Sequence, residues 1–313
     1  MPRRFVASGR RLGTLAGLFA LSVLLWALTP HFLTVSNLLN VFEQTAINAI
    51  IAAGMTFVII SGGIDLSVGS LVALAGVALA AALQSGAPIP LAIAAGLGVG
   101  FGFGVLNGLA ITWGRLPPFI ATLGMMSVAR GCALLFTEGR PISGFDPGFR
   151  ALATSRLLGI PAPVVATAVV YLIARFVLSE TRFGRYVYSI GGNEEATRLS
   201  GVTVWLHKTL VYGVSGLASA IAAVLLTARL NSAQPIAGIM YELDAIAATV
   251  IGGTSLMGGE GGLGGTIIGA LIMGVLRNGL NLLGVSSFIQ QIVIGLVIVF
   301  AVLIDTTLKA RKT

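Results

Sequence analysis

The sequence predicts an all-α polytopic membrane protein of about ten transmembrane helices. Three observations carry that prediction. Of 313 residues, 56% are hydrophobic and 10% charged, whereas a soluble domain carries about 25% charged residues. The apolar runs are continuous rather than alternating, and a helix satisfies its own backbone groups in lipid. The 42 glycines suit helices packed closely in a bilayer, where small residues admit a neighbouring backbone. The mean hydropathy of +0.97 agrees.

The apolar spans fall near 12–28, 43–60, 66–83, 89–110, 118–136, 162–179, 208–227, 235–252, 263–282 and 286–304. The first lacks a small-residue cleavage site and is expected to stay as a helix. The span at 235–252 is the least regular, because Pro235, Glu242 and Asp244 interrupt it. Without it the count drops toward eight or nine. No linker or soluble domain separates the spans, so residues 1–313 read as one transmembrane domain. Its longest polar cytoplasmic segment is expected at about 180–208.

The net charge is +8. In a membrane protein such an excess marks cytoplasmic segments rather than nucleic-acid binding. With both termini inside, the inner segments hold Arg3, Arg4, Arg10, Arg11, Arg115, Arg182, Arg185, Arg198, Lys208, Lys309, Arg311 and Lys312. The outer segments hold only Arg140, Arg150, Arg156 and Arg229, while Arg130, Arg175 and Arg277 fall within spans. This bias predicts the orientation. Cys132 is the single cysteine, which excludes a disulfide framework and a cysteine-rich metal site. Its apolar run predicts a packing role.

Catalytic constellations are missing. The lysines are Lys208, Lys309 and Lys312, and none follows a glycine-rich phosphate loop. The stretch "GGTSLMGGEGGLGG" at 252–265 contains no lysine and reads as a tight turn between helices. His31 and His207 stand far apart and form no H-E-x-x-H. No catalytic or metal-ligating residue is therefore expected.

Acids within spans are costly and commonly functional. Here they are Glu43, Asp65, Glu242, Asp244 and, at the last helix end, Asp305. In "SGGIDLSVGS" (61–70), Ser61, Gly62 and Gly63 can end one helix and Asp65 can cap the next. Alternatively Ser61, Gly62, Gly63, Asp65 and Ser67 line a translocation path or shape its gate. "YELDAIAATVIGG" (241–253) partly echoes this break, with Asp244 ahead of a small-residue run. The two acids follow the second and seventh spans, an odd offset compatible with an inverted five-plus-five repeat. No dense acid–base chain for ion coupling is present. Aromatic residues are 7%, which favours a low-affinity conduit fed by a separate binding protein over a tight stacking pocket.

The segment "RYVYSIGGNEEATRLSGVTVW" (185–205) is the most polar. Asn193 suits an N-cap after Gly191 and Gly192. Glu194 and Glu195 then occupy the first turn, where carboxylates favour the helix dipole. Ala196, Arg198 and Leu199 continue the helix and Gly201 suits C′. The segment predicts a short exposed helix, either solvated or docked on a partner.

The stretches "GGIDLSVGS", "PPFIATLGMMSVARG", "GRYVYSIGGNEEATRLSG", "ARLNSAQPIAGIMYELDAIAATVIGGTSL" and "NGLNLLGVSSFIQQIVIG" together resemble the permeases of ribose-type monosaccharide ABC importers. The similarity covers nearly the full chain. It implies an inner-membrane permease that pairs with a second copy or a homologous permease. It also implies a periplasmic sugar-binding protein and a cytoplasmic ATPase with two nucleotide-binding domains. That ATPase would use ATP and Mg, and this chain would bind no cofactor. The resemblance further implies that Gly191–Gly201 is the coupling helix that docks on the ATPase, and that the cargo is ribose or a related sugar. An ion-coupled secondary transporter is the alternative from another class.

Overall fold

A computed structural model describes residues 3–310. In chain order the helices are α1 (Arg3–Leu28), α2 (Val35–Ile60), α3 (Val68–Gln84), α4 (Ile89–Thr112), α5 (Pro118–Thr137), α6 (Pro147–Thr154) and α7 (Ala162–Glu180). They continue as α8 (Arg182–Gly192), α9 (Glu194–Leu199), α10 (Val204–Leu230), α11 (Tyr241–Ile251), α12 (Leu263–Leu282) and α13 (Ser287–Ala310). Four two-residue strands form two small antiparallel pairs. β1 (Ile142–Ser143) joins β4 (Ser232–Ala233), and β2 (Arg156–Leu157) joins β3 (Ile160–Pro161).

Among the described residues, six helices are long and apolar enough to cross a membrane: α2, α4, α5, α7, α10 and α12. Three shorter apolar stretches, Gly13–Leu28, Val68–Gln84 and Ser287–Leu303, accompany them. The all-α polytopic fold expected from composition is present.

Several spans differ from the sequence expectation: the first is helical from Arg3 rather than residue 12, and the last runs to Ala310 rather than residue 304. The second begins at Val35, earlier than residue 43, because Thr34 caps it by accepting the Asn37 N–H at 3.3 Å. Asn37 does not break the helix, since Asn278 exchanges hydrogen bonds with it at 3.0 and 2.9 Å. The stretch expected to span 235–252 is helical only from Tyr241. Pro235 lacks a backbone donor, and Gly238 and Met240 take φ of +74° and +71°, which no α-helix accommodates. Gly238 also packs its backbone on Gly69 at the start of α3, leaving no room for a side chain.

The core is built on α2 and α10, both buried over most of their length. Glycines at every fourth position of α4 (Gly96, Gly100, Gly104 and Gly108) face neighbouring backbones. Gly96 meets Ala75 of α3, while the other three meet Gly216, Tyr212 and Thr209 of α10. Helices in lipid gain little from hydrophobic exclusion, so close backbone packing of this kind supplies much of their association. Tyr171 Oη and Thr167 Oγ1 tie α7 to α2 through the Ala49 and Ala46 carbonyls at 3.0 and 3.2 Å. Cys132 lies exposed on α5 and is not a packing residue: the exposed side of α5 is apolar too, so composition alone did not separate its faces.

Candidate functional site

The break between α2 and α3 holds a buried polar joint. Ser61 ends α2 and donates its hydroxyl to the Val58 carbonyl at 2.8 Å. The chain then turns through Gly62, beside Gly191, and Gly63, which lies against the Tyr212 ring. Asp65 is 0% exposed. Its Oδ1 accepts the Ser67 N–H at 3.0 Å and the Ser67 hydroxyl at 2.6 Å. Its Oδ2 accepts the Ser215 hydroxyl of α10 at 2.8 Å. Asn107 of α4 donates Nδ2 to Ser67 Oγ at 2.8 Å. Three helix segments are thus fastened at one carboxylate. Asp65 is not itself the N-cap; Ser67 holds that position, and the short Asp side chain folds back onto the N–H two residues on. Of Ser61, Gly62, Gly63, Asp65 and Ser67, only Gly62 is exposed.

Asp244 belongs to a second joint. Arg277 of α12 donates Nη2 to both carboxylate oxygens at 2.9 and 2.7 Å. Asn48 of α2 donates Nδ2 to Oδ2 at 3.2 Å. These side chains line a small cleft with Thr45, Met273 and Gly274. A charge at a helix centre in lipid costs about 2.5–3.5 kcal/mol on insertion scales, and the pairing offsets that cost. Arg130 of α5 donates Nη1 to the Pro235 and Ala237 carbonyls, both at 2.7 Å. It thereby satisfies backbone that the unwound stretch leaves open. The two acids are not brought together: Asp65 joins α3, α4 and α10, whereas Asp244 joins α11, α2 and α12. Sequence reasoning placed Arg130 and Arg277 within spans, a usable signal, but assigned neither a partner. Asn48, Asn107 and Ser215 carried no signal, because single polar residues recur throughout the spans.

The polar segment folds as a helix pair. Thr181 caps α8 by accepting the Gly184 N–H at 3.3 Å. Phe183 stacks near His207 at 6.0 Å, and Tyr186 meets the same imidazole edge-on at 4.8 Å. Asn193 serves both helices. Its N–H closes α8 on Ser189 O at 3.0 Å, and its Oδ1 accepts the Ala196 N–H of α9 at 2.8 Å. Gly201 lies at C′ with φ +83°. The Gly201 N–H bonds Arg198 O at 3.0 Å and the Val202 N–H bonds Thr197 O at 3.4 Å, a Schellman ending.

Glu194 accepts from Lys208 Nζ at 2.8 Å, and Glu195 pairs with Arg198. The Glu195 hydrogen bond, then its charge, raises the Arg198 pKa above its ordinary value. Leu199 projects from the end of α9, 79% exposed. Gly191 and Gly192 complete α8, and Gly191 is pressed against other backbone.

A bundle of apolar helices fastened at buried polar joints, carrying one exposed helix pair, is the form of a membrane permease subunit. Residues 37–302 match the family described as branched-chain amino acid transport system / permease component, and the chain belongs to that family. It is 51% identical over 298 residues to the ribose import permease protein RbsC of Bacillus subtilis (strain 168), covering 95% of this chain and 92% of that one. It is 48% identical over 310 residues to RbsC of Escherichia coli (strain K12), covering 93% and 92%. The D-allose transport system permease protein AlsC of Escherichia coli (strain K12) is 37% identical over 306 residues, covering 97% and 94%. The expected ribose-type resemblance holds across the chain. The protein is the membrane permease subunit of an ABC sugar importer, a transport subunit rather than an enzyme. Importers of this kind work with an ATPase and a substrate-binding protein. The ion-coupled alternative finds no support among these relatives.

Proposed function

We propose that the cargo is ribose. The observation that carries this is the 51% identity over 95% of the chain to a ribose import permease, against 37% to an allose permease and 40% to an arabinose permease. ATP-driven closure of a cytoplasmic ATPase with two nucleotide-binding domains moves α9, and the bundle alternates between outward- and inward-open states. ATP and Mg act in that ATPase, because this chain has no lysine in its glycine-rich loop. A periplasmic sugar-binding protein delivers the sugar to a pair of permeases, this chain with a second copy or a homologue.

The chain crosses the inner membrane ten times with both termini cytoplasmic. The eighth crossing is the unwound stretch 231–240 followed by α11, which is about 16 Å long at 1.5 Å per residue and too short to cross alone. An inverted five-plus-five repeat fits this count. Its support is that α2 and α10 are both central and that each leads into a helix break, with Asp65 inside the first and Asp244 in the first helical turn after the second. Gly191, Gly192, Asn193, Glu194, Glu195, Ala196, Arg198, Leu199 and Gly201 form the coupling segment. The Asp65 and Asp244 joints steady the helices that move around the path. The cargo is tested by competition: labelled ribose uptake by the complete importer should be displaced by ribose well below the concentrations of allose or arabinose required. Equal displacement by all three would reject ribose as the preferred sugar.

A further inference from the structure

The glycine-rich loop 252–262 joins α11 to α12 and lies against the end of α8. Gly259 donates its N–H to the carbonyl of Ile60, the last residue of α2, at 2.9 Å. Tyr188 of α8 donates its hydroxyl to the Gly261 carbonyl at 2.8 Å. A Cβ on Gly258 would fall 2.7 Å from Gly191 O and 3.1 Å from Gly62 Cα. A Cβ on Gly191 would run into the Ile60 carbonyl and lie 2.6 Å from Gly259 N. The backbones of α8, of the α2 end and of the loop therefore meet at Gly191 with no side chain between them.

We propose that Gly191 is a positioning residue for transport: it seats α8 on the α2 end and on loop 252–262, so that displacement of the α8–α9 pair reaches both polar joints together. This rests on the reading that α9 receives the motion of the ATPase. A contact between backbones has no rotamers to absorb a shift, and close-packed interiors transmit strain. From Ile60 the chain reaches Asp65 within the α2–α3 break, and the loop connects the helices that carry Asp244 and Arg277. The seat also accounts for glycine at 191 inside a helix, where alanine is otherwise favoured.

The test compares two glycine-to-alanine substitutions in the importer complex purified with its ATPase subunit and reconstituted with its binding protein. Gly191→Ala places a methyl in the seat. Gly98→Ala in α4 is the control, because a Cβ there meets nothing within 4 Å. Three quantities are read: ATPase co-purification, ATP hydrolysis, and labelled ribose transported per ATP. Gly191→Ala is expected to keep the ATPase bound and to lower ribose per ATP about tenfold, within the range found for positions along a coupling route. Gly98→Ala is expected to match the parent. A general folding defect would lower the amount of complex but not this ratio. An unchanged ratio in Gly191→Ala, or an equal loss in Gly98→Ala, overturns the proposal. If Gly191→Ala does not accumulate, Tyr188→Phe carries the test. It removes only the hydroxyl bonded to Gly261 and should lower the ratio about two- to fivefold, whereas an unchanged ratio overturns the seat. The reading of α9 fails separately, if Leu199→Asp leaves ATPase co-purification at the parental level.

Discussion

Ser215 donates its hydroxyl to Asp65 Oδ2 at 2.8 Å across 150 residues of sequence. This bond makes the α2–α3 break a tertiary joint rather than a local cap. Asn at position 65 can still accept from Ser67 through its oxygen, and the Ser215 hydroxyl can rotate to accept from the new amide. Asp65→Asn is therefore expected to reach normal membrane abundance and retain most ribose uptake. Asp65→Leu strands the donors of Ser67 and Ser215 at about 1–3 kcal/mol each, and its abundance and uptake should both fall. An Asp65→Asn protein that is abundant but inactive would show that the charge itself is required.

The Asp244–Arg277 pair should behave as a unit. Arg277→Met leaves the Asp244 carboxylate buried and unpaired, which costs about 3–5 kcal/mol. Adding Asp244→Asn removes the stranded charge. Thermal unfolding in detergent should show a large loss for Arg277→Met alone and recovery of part of it in the double variant, a coupling of about 0.5–3 kcal/mol. Additive losses would mean that the pair contributes nothing as a pair.

The α4 glycines separate by face. Gly104 lies against the Tyr212 backbone, whereas a Cβ at Gly102 meets nothing within 4 Å. Gly104→Val should depress expression and melting temperature sharply. Gly102→Ala should be neutral or raise stability by up to about 1 kcal/mol through helix propensity. Melting curves of the two variants side by side decide this.

The exposed end of α9 is the place to perturb docking. Glu194 already has an internal partner in Lys208, so its reversal would disturb this chain as well as any partner. Glu195 is exposed and pairs with Arg198 of α9 itself, so its reversal disturbs that short helix but not its seating on α10, and Leu199 projects outward. Leu199→Asp combined with Glu195→Arg should leave insertion normal. The combination should reduce ATPase co-purification about tenfold or more, as expected on loss of a hot spot worth about 2 kcal/mol. Parental co-purification at matched permease levels would make α9 a solvated helix.

Much of this was legible in the sequence. The caps of α9 follow from Asn193 and Gly201, because capping is local chemistry that a short stretch encodes completely. The polytopic class follows from composition. The start of α2 was hidden because Ser36, Asn37 and Asn40 dilute the apolar run there, and the partner that satisfies Asn37, Asn278, lies 241 residues away. The unwinding of 235–240 was legible only as the interruption at Pro235: Arg130 holds the Pro235 and Ala237 carbonyls, and hydropathy does not record which carbonyls an arginine reaches. Asp65 was legible as a polar break but not as the meeting point of α3, α4 and α10. Small polar partners such as Ser215 resemble every other serine in a span.

The central claim is that this chain supplies the path and a partner ATPase supplies the energy. Labelled ribose uptake into proteoliposomes tests it most directly, with the permease alone under an imposed proton or sodium gradient and with the complete importer given ATP and Mg. The account predicts no accumulation by the permease alone and ATP-dependent accumulation by the complete importer. Accumulation by the permease alone under an ion gradient would contradict it.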